Sequence, residues 1–224
     1  MSSHKTTSSP TSPGLCIAFF GPDGIGKSAV IEAVKLEAGT TFSAVVQFHF
    51  RPMFGRQQDR PPVTDPHAQT PRSLLISTVK LIYWLLDCWY GYLIAIRPAR
   101  RCSRLVIFDR YYPDILVDPQ RYRLPASTLR FARLLAAIAP RPDLYILLDA
   151  PADVVQRRKH EVSLAESQRQ RLAYLAMFQS MPAKLLVNAD APVNQVTHQV
   201  SVAVSTLLQN SSMKLHEALL LADF

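Results

Sequence analysis

The sequence predicts an α/β three-layer sandwich built on a five-stranded parallel sheet. Five short apolar runs, Leu15–Phe20, Ala44–Phe50, Leu105–Phe108, Leu144–Asp149 and Lys184–Asn188, alternate with stretches of helical periodicity. The first run leads directly into Gly21-Pro22-Asp23-Gly24-Ile25-Gly26-Lys27-Ser28, which fits G-x-x-x-x-G-K-[ST] at every fixed position, and a helix-like run follows it. At 224 residues and 48% hydrophobic content the chain suits one domain of this kind, with no internal repeat and no second core.

The loop after the first strand organises the rest. Consecutive backbone N–H groups can turn inward onto a triphosphate only where Cβ atoms are few, and three of the seven glycines fall here. Gly21, Pro22, Asp23, Gly24, Ile25, Gly26, Lys27, Ser28 and Ala29 are therefore the expected phosphate-binding positions for ATP. Lys27 would reach the terminal phosphates and the Ser28 hydroxyl would take a place on Mg²⁺, while the helix opening at about Lys27 adds its positive dipole end.

The net charge of +8 rests on 18 arginines against seven lysines, and the arginine fork suits phosphate. An anionic small ligand follows. Nucleic acid is disfavoured, because the arginines scatter at loop and helix ends rather than forming a stripe with interleaved aromatics. The odd set Cys16, Cys88 and Cys102, one of them in a buried strand, points to a reducing cytoplasm.

Residues 1–14 hold Ser, Thr and Pro with almost no apolar side chains and read as a disordered lead-in, with no secretory apolar region after them. Gly39 marks the end of the first helix. Arg51 stands at the carboxyl end of the second strand, before an irregular loop, Pro52 to Arg72, that holds four further prolines. Leu74 to Ile96 is apolar enough to resemble a membrane span. Lys80 and Asp87 inside it would each cost roughly 2.5–3.5 kcal/mol at a bilayer centre, so a core helix is expected and no membrane partner.

Leu105–Phe108 runs into Asp109-Arg110-Tyr111. An apolar strand with a terminal Asp is the form of a Walker B element, whose carboxylate holds the water shell of Mg²⁺. Arg110 would hold phosphate or pair internally with Asp109 or Asp114. Ala126–Ile138 reads as a helix with Arg130 and Arg133 on its solvated face, and Pro151 begins another at a first-turn position. Arg157-Arg158-Lys159 is a basic segment. Ser163-Leu164-Ala165-Glu166 is a capping box opening a helix to about Met177 that carries Arg169 and Arg171, so a lid is expected near residues 157–171. Pro192 opens a last helix ending near Asn210, and 211–224 form a tail with leucines at helical spacing, outside a kinase domain spanning 15–210.

A phosphate loop alone is compatible with NTPases, GTPases, transporter ATPases and kinases. The chain lacks N-K-x-D and a transporter signature, is short for an oligomeric motor, and has a basic segment able to close over a transferring phosphoryl group. The run Ile96-Arg97-Pro98-Ala99 through Leu105-Val106-Ile107-Phe108-Asp109-Arg110-Tyr111 resembles the I-x-P-A-L to D-R-Y stretch of thymidylate kinases, and Leu148-Asp149-Ala150-Pro151 to Arg158 is similar to that family's strand and helix before the lid.

The resemblance implies a P-loop NTPase fold of the nucleoside monophosphate kinase type. It also implies transfer of the γ-phosphate of ATP, with Mg²⁺, to a nucleoside monophosphate, foremost dTMP, in nucleotide biosynthesis. It assigns Lys27 to the donor phosphates, Ser28 and Asp109 to the metal, Asp23, Arg51, Trp84 and Arg110 to the acceptor, and Arg157, Arg158 and Arg169 to the lid, with Arg158 catalytic. A homodimer through Leu74–Ile96 is implied too.

Several departures bear on the acceptor. Residues 50–53 lack the family's Glu, Trp84 and Cys88 stand where the family places a base-stacking Phe and a thymine-reading Arg, and Leu116 to Arg123 replaces its A-Y-Q-G element. Two alternatives stay open: a kinase of the same fold with another small acceptor, and an ATP-binding regulatory protein without catalysis.

Overall fold

A computed structural model describes residues 13–50, 52, 70–159 and 162–222, without the side chains of 214–222. The chain alternates strand and helix as β1 (Leu15–Phe20), α1 (Lys27–Ala38), β2 (Val45–His49), α2 (Leu74–Gly91), α3 (Arg97–Arg101), β3 (Leu105–Asp109), α4 (Leu129–Ile138), β4 (Leu144–Asp149), α5 (Ala152–Arg158), α6 (Leu164–Gln179), β5 (Lys184–Asn188) and α7 (Val193–Ala222). The five strands form one sheet in the order β2-β3-β1-β4-β5. Every pairing is parallel, so each crossover carries helices across a face. The expected three-layer architecture is what the structure shows.

β1 is central and all six of its residues are buried, which is why it reads as an unbroken apolar run rather than an alternating one. Strand alternation sends Leu15, Ile17 and Phe19 to one side, against α1 and α7 through Ile31, Val34, Val196 and Val200. Cys16, Ala18 and Phe20 face the other side, against Leu81 and Trp84 of α2, Leu135 of α4 and Phe178 of α6. With Ile17 at 0% exposure, its truncation to Ala would cost about 2–5 kcal/mol. Strand β1 ends at the switch in strand order, where a crevice opens above the carboxyl edge of the sheet.

Several boundaries differ from expectation, each for a physical reason. β2 stops at His49 because Phe50 turns into the left-handed region, φ 61°, and swings its ring into the core. The apolar helix does not end at Ile96. A single π turn, Tyr92–Ile96, carries it into α3, whose second residue Pro98 is tolerated in the first turn. α7 does not end near Asn210 but continues to Ala222, since no Gly or Pro follows to stop it. Gly14 is held rather than loose, its N–H bonded to Arg100 O at 2.7 Å. The rest of the expected lead-in, 1–12, lies outside the described residues, as do Arg51, most of the proline-rich loop and residues 160–161.

The expectation of a core helix at Leu74–Ile96 holds for one face only. Ser77, Leu81, Trp84, Leu85 and Cys88 are buried, whereas Leu75, Val79, Ile82, Leu86, Leu93 and Ile94 are exposed. Among the described residues, Leu74–Arg101 is the one segment long and apolar enough to cross a membrane.

Candidate functional site

The phosphate loop adopts the curled path that its glycines permit. Gly21, Gly24 and Gly26 have φ of 139°, 81° and 100°, and a Cβ on Gly21 would stand 2.8 Å from the Leu148 carbonyl oxygen. A Cβ on Gly24 would stand 2.7 Å from that of Lys159, just past α5. The phosphate loop is thus packed at Gly24 against the segment that follows the fourth strand's helix. A cavity of about 310 Å³ opens above the loop, lined by its residues together with His49, Asp109, Arg110, Arg121, Arg158 and Lys159.

Lys27 opens α1 and is buried, its Nζ donating to Gly21 O at 2.7 Å and Pro22 O at 2.8 Å and lying 4.0 Å from Asp23. Burial, then the Arg110 guanidinium, pulls its ammonium down to about 8. A strongly charged anion at this point would reverse that. Ser28 and Ala29 are exposed to the same cavity.

Asp109 ends β3 directly opposite His49 in the neighbouring strand. Burial alone would raise its carboxyl, but the His49 ring nitrogen, 3.3 Å from Oδ2, and then Lys27 outweigh this and hold it below the usual carboxylate value. Its Oδ1 is buried with no hydrogen-bond partner. That orphaned oxygen, with the Ser28 hydroxyl on the same cavity, fits one inner or water-bridged place on Mg²⁺. Among the described residues no cluster of three or more His, Cys, Asp or Glu could hold a metal alone, so phosphate oxygens and water would complete the sphere.

Arg110 follows Asp109 in a left-handed conformation, φ 69°, which turns its side chain back toward the loop. The guanidinium is buried. One nitrogen donates to Asp114 Oδ2 at 2.8 Å and to the Tyr174 hydroxyl at 3.0 Å, and the other meets Asp23. Asp114, fully buried, also accepts from the Tyr174 hydroxyl at 2.6 Å and the Tyr122 hydroxyl at 2.7 Å. The internal pairing that the sequence allowed for Arg110 is therefore made. Asp23 is shared between Arg110 and Arg121, and these two cations with Lys27 overcome its burial and hold it well below the usual carboxylate range.

Arg158 lines the phosphate-loop cavity, donates to Ala189 O at 2.8 Å and lies 3.8 Å from Asp190. It also borders an adjoining cleft of about 250 Å³ lined by Ile25, Val30, Ala189, Val193 and Val196, an apolar slot beside the phosphate cradle. The other arginines expected in the lid stand elsewhere. Arg157 is 70% exposed and paired with Asp153 at 3.0 Å. Arg169 forks onto Glu166 at 2.6 and 2.7 Å and onto Val117 O at 3.2 Å. Arg171 chelates Asp149 at 2.8 Å through both oxygens. These last two pin α6 to its neighbours. The capping box that opens α6 is present, Ser163 Oγ accepting from Glu166 N at 3.2 Å.

Trp84, expected as a base platform, sits in the core at 6% exposure. Its ring meets Phe50 edge-on at 5.2 Å and Tyr122 at 5.5 Å, and the Lys80 ammonium lies 4.4 Å over it. Arg51 lies outside the described residues. Two cavity-lining groups had no role in the sequence reading. His49 carried no motif, although its place at a strand end beside Asp109 was a signal. Arg121 lies 98 residues from Asp23, and nothing local announces that contact.

No family model matches the chain. Among curated proteins, it is 27% identical over 221 residues to the thymidylate kinase of Methylococcus capsulatus, covering 88% of this chain and 97% of that protein. It is 26% identical over 207 residues to the thymidylate kinase of Xanthomonas campestris, covering 88% and 86%. A shorter match, 31% over 118 residues, joins it to a probable thymidylate kinase of Pyrococcus abyssi, covering 49% and 55%. These matches cover most of the chain and, together with its parallel five-stranded sheet, support a thymidylate kinase-like family and, at family level, a kinase.

Proposed function

We propose that the chain transfers the γ-phosphoryl group of ATP, with Mg²⁺, to a nucleoside monophosphate, dTMP first among the candidates. The observation that carries this reading is the convergence of two cationic groups on one cavity: Lys27 from the phosphate loop and Arg110 from the end of β3. In-line transfer needs charge neutralised at both ends and little covalent chemistry from the protein.

In this mechanism Lys27 leaves the Gly21 and Pro22 carbonyls for the β- and γ-phosphates, and the loop amides and the α1 N-terminus hold the remaining oxygens. Ser28 and Asp109 would hold the magnesium, which when bound would neutralise charge on those phosphates. Arg158, at the seam between the cavity and the apolar cleft, serves the donor: its guanidinium borders the slot suited to a flat purine and reaches the phosphates. Arg110 takes the acceptor phosphate, held by Asp114 at the required angle.

The reading extends to a homodimer through the exposed face of α2 and a reducing cytoplasmic setting for the three free thiols, with a role in nucleotide biosynthesis. Neither a nucleic acid nor a membrane partner is part of it, since Lys80 and Asp87 interrupt the apolar helix.

A second reading, a different phosphorylated acceptor, is favoured by Trp84. In the resemblance its position belongs to the base-stacking residue, yet here its ring is covered by Lys80, Phe50 and Tyr122. A coupled ADP-release assay over dTMP, dUMP, CMP, GMP and AMP separates the cases. Acceleration by dTMP alone supports the first reading and acceleration by another monophosphate the second. Tight ATP binding with no acceleration by any acceptor would leave a nucleotide-binding regulatory protein.

A further inference from the structure

The segment Asp118–Arg123, which replaces the family's A-Y-Q-G element, is anchored at each residue that could set its direction. Asp118 Oδ1 accepts the Arg121 backbone N–H at 3.1 Å, and Leu124 N closes onto Pro119 O at 2.9 Å. The Tyr122 ring stacks on Phe50 at 5.1 Å while its hydroxyl donates to the buried Asp114. Arg123 takes the left-handed conformation, φ 56°, and its carbonyl accepts Arg72 N at 3.0 Å. Arg121 is thus fixed between two held neighbours, and its side chain crosses the cavity to Asp23.

Arg110 reaches one oxygen of Asp23 and Arg121 the other. A carboxylate with one oxygen on each of two guanidinium groups occupies a place that a single phosphate, with three oxygens, fills in the same manner. The charges agree with this. Arg110 already has Asp114 as a permanent counter-ion, so an anion displacing Asp23 meets one guanidinium neutralised from behind and one that is not. Asp23 itself is a quarter exposed on a glycine-flanked loop and can swing away, whereas both arginines are braced.

We propose that Arg121 is a second arginine for the acceptor's phosphate, and that in the empty site Asp23 sits in the seat that this phosphate takes. The inference rests on the kinase reading and sharpens it: the acceptor is a phosphomonoester, and it enters by displacing a carboxylate of the phosphate loop. The free site is closed to weakly charged anions by its own aspartate.

The test uses the full chain without ATP and titrates inorganic phosphate and dTMP by calorimetry against wild type, Asp23→Asn, Arg121→Gln and the double variant. Removing the carboxylate's charge should tighten phosphate binding about tenfold, and Arg121→Gln should cancel that gain in the double variant. In turnover, Arg121→Gln should raise the acceptor KM at least tenfold while the ATP KM moves less than twofold. Unchanged or weaker phosphate binding by Asp23→Asn overturns the proposal, as does a gain that survives in the double variant, which would put the phosphate on the loop alone. Should Asp23→Asn fold poorly, the arginine Nε–H resonances of the unmodified protein give the same answer: the buried Arg110 and half-buried Arg121 guanidinium groups must both shift on adding phosphate, and failure of either to shift refutes the clamp. The binding arms need no catalysis. A chain that shows them but gives no thermal shift with Mg²⁺ and ATP loses the kinase reading and keeps the clamp.

Discussion

Replacing Lys27 by Met should remove catalysis and, at neutral pH, make the fold more stable. Holding the buried ammonium at about 8 instead of its ordinary 10.5 costs the folded state about 3 kcal/mol at pH 7. Methionine fills similar space without charge and leaves two carbonyls, Gly21 O and Pro22 O, without their donor, which returns about 1 kcal/mol for each. The net gain is about 1 kcal/mol, or about 2–4 °C in Tm for a domain of this size.

The pH dependence has a definite sign. Between 8 and 10.5 the unfolded chain still binds the proton that the folded chain has released, so wild-type stability rises with pH across that window. At pH 9.5 wild type recovers about 2 kcal/mol and the order of the two melting temperatures should reverse. Circular dichroism melts at pH 7 and 9.5 read this crossing, and a coupled assay reads turnover. A variant less stable than wild type by the same margin at both pH values would refute the buried-charge account; turnover above a few per cent of wild type would refute the site.

Other perturbations separate the parts of the site. For ATP, kcat/KM should fall with unit slope above pH about 8, where the free enzyme's Lys27 loses its proton, while kcat stays level to higher pH because bound phosphates restore the charge. Gly24→Ala meets both the left-handed backbone and the Lys159 side chain, so it should lose more stability and more ATP affinity than Gly26→Ala, whose added methyl meets open space; equal losses by thermal shift would show that the Lys159 contact is idle. Asp114→Asn leaves the buried Arg110 short of a counter-ion and should cost about 3–5 kcal/mol by denaturant unfolding. Leu86→Glu on the exposed face of α2 should shift sedimentation from dimer to monomer, and an unchanged sedimentation coefficient would remove that face as the seam.

Much of this was legible because it is local. The glycines of the phosphate loop, the unbroken apolar β1 and the capping box before α6 each need only a few neighbouring residues to reveal their role. Arg110 and Asp114, four apart, were within the same reach. What stayed hidden depends on distant chain segments. Arg121 acquires its role from a loop 98 residues away, and Trp84 loses its expected exposure because Phe50 and Tyr122 close over it. Arg169 looked like a lid cation, but only the fold reveals that Glu166 and the Val117 carbonyl hold it. The length of α7 was missed for the opposite reason: the sequence supplies no stop signal near Asn210, and the helix runs on to Ala222.

The bare Cα of Gly24 beneath Lys159 has a mechanical meaning. Two segments separated by 135 residues of chain touch with nothing between them, so neither can tilt without pressing on the other. Any displacement of the residues just after α5 would therefore arrive as a small push on the turn of the phosphate loop. Removing that touch should leave two working halves that no longer keep time.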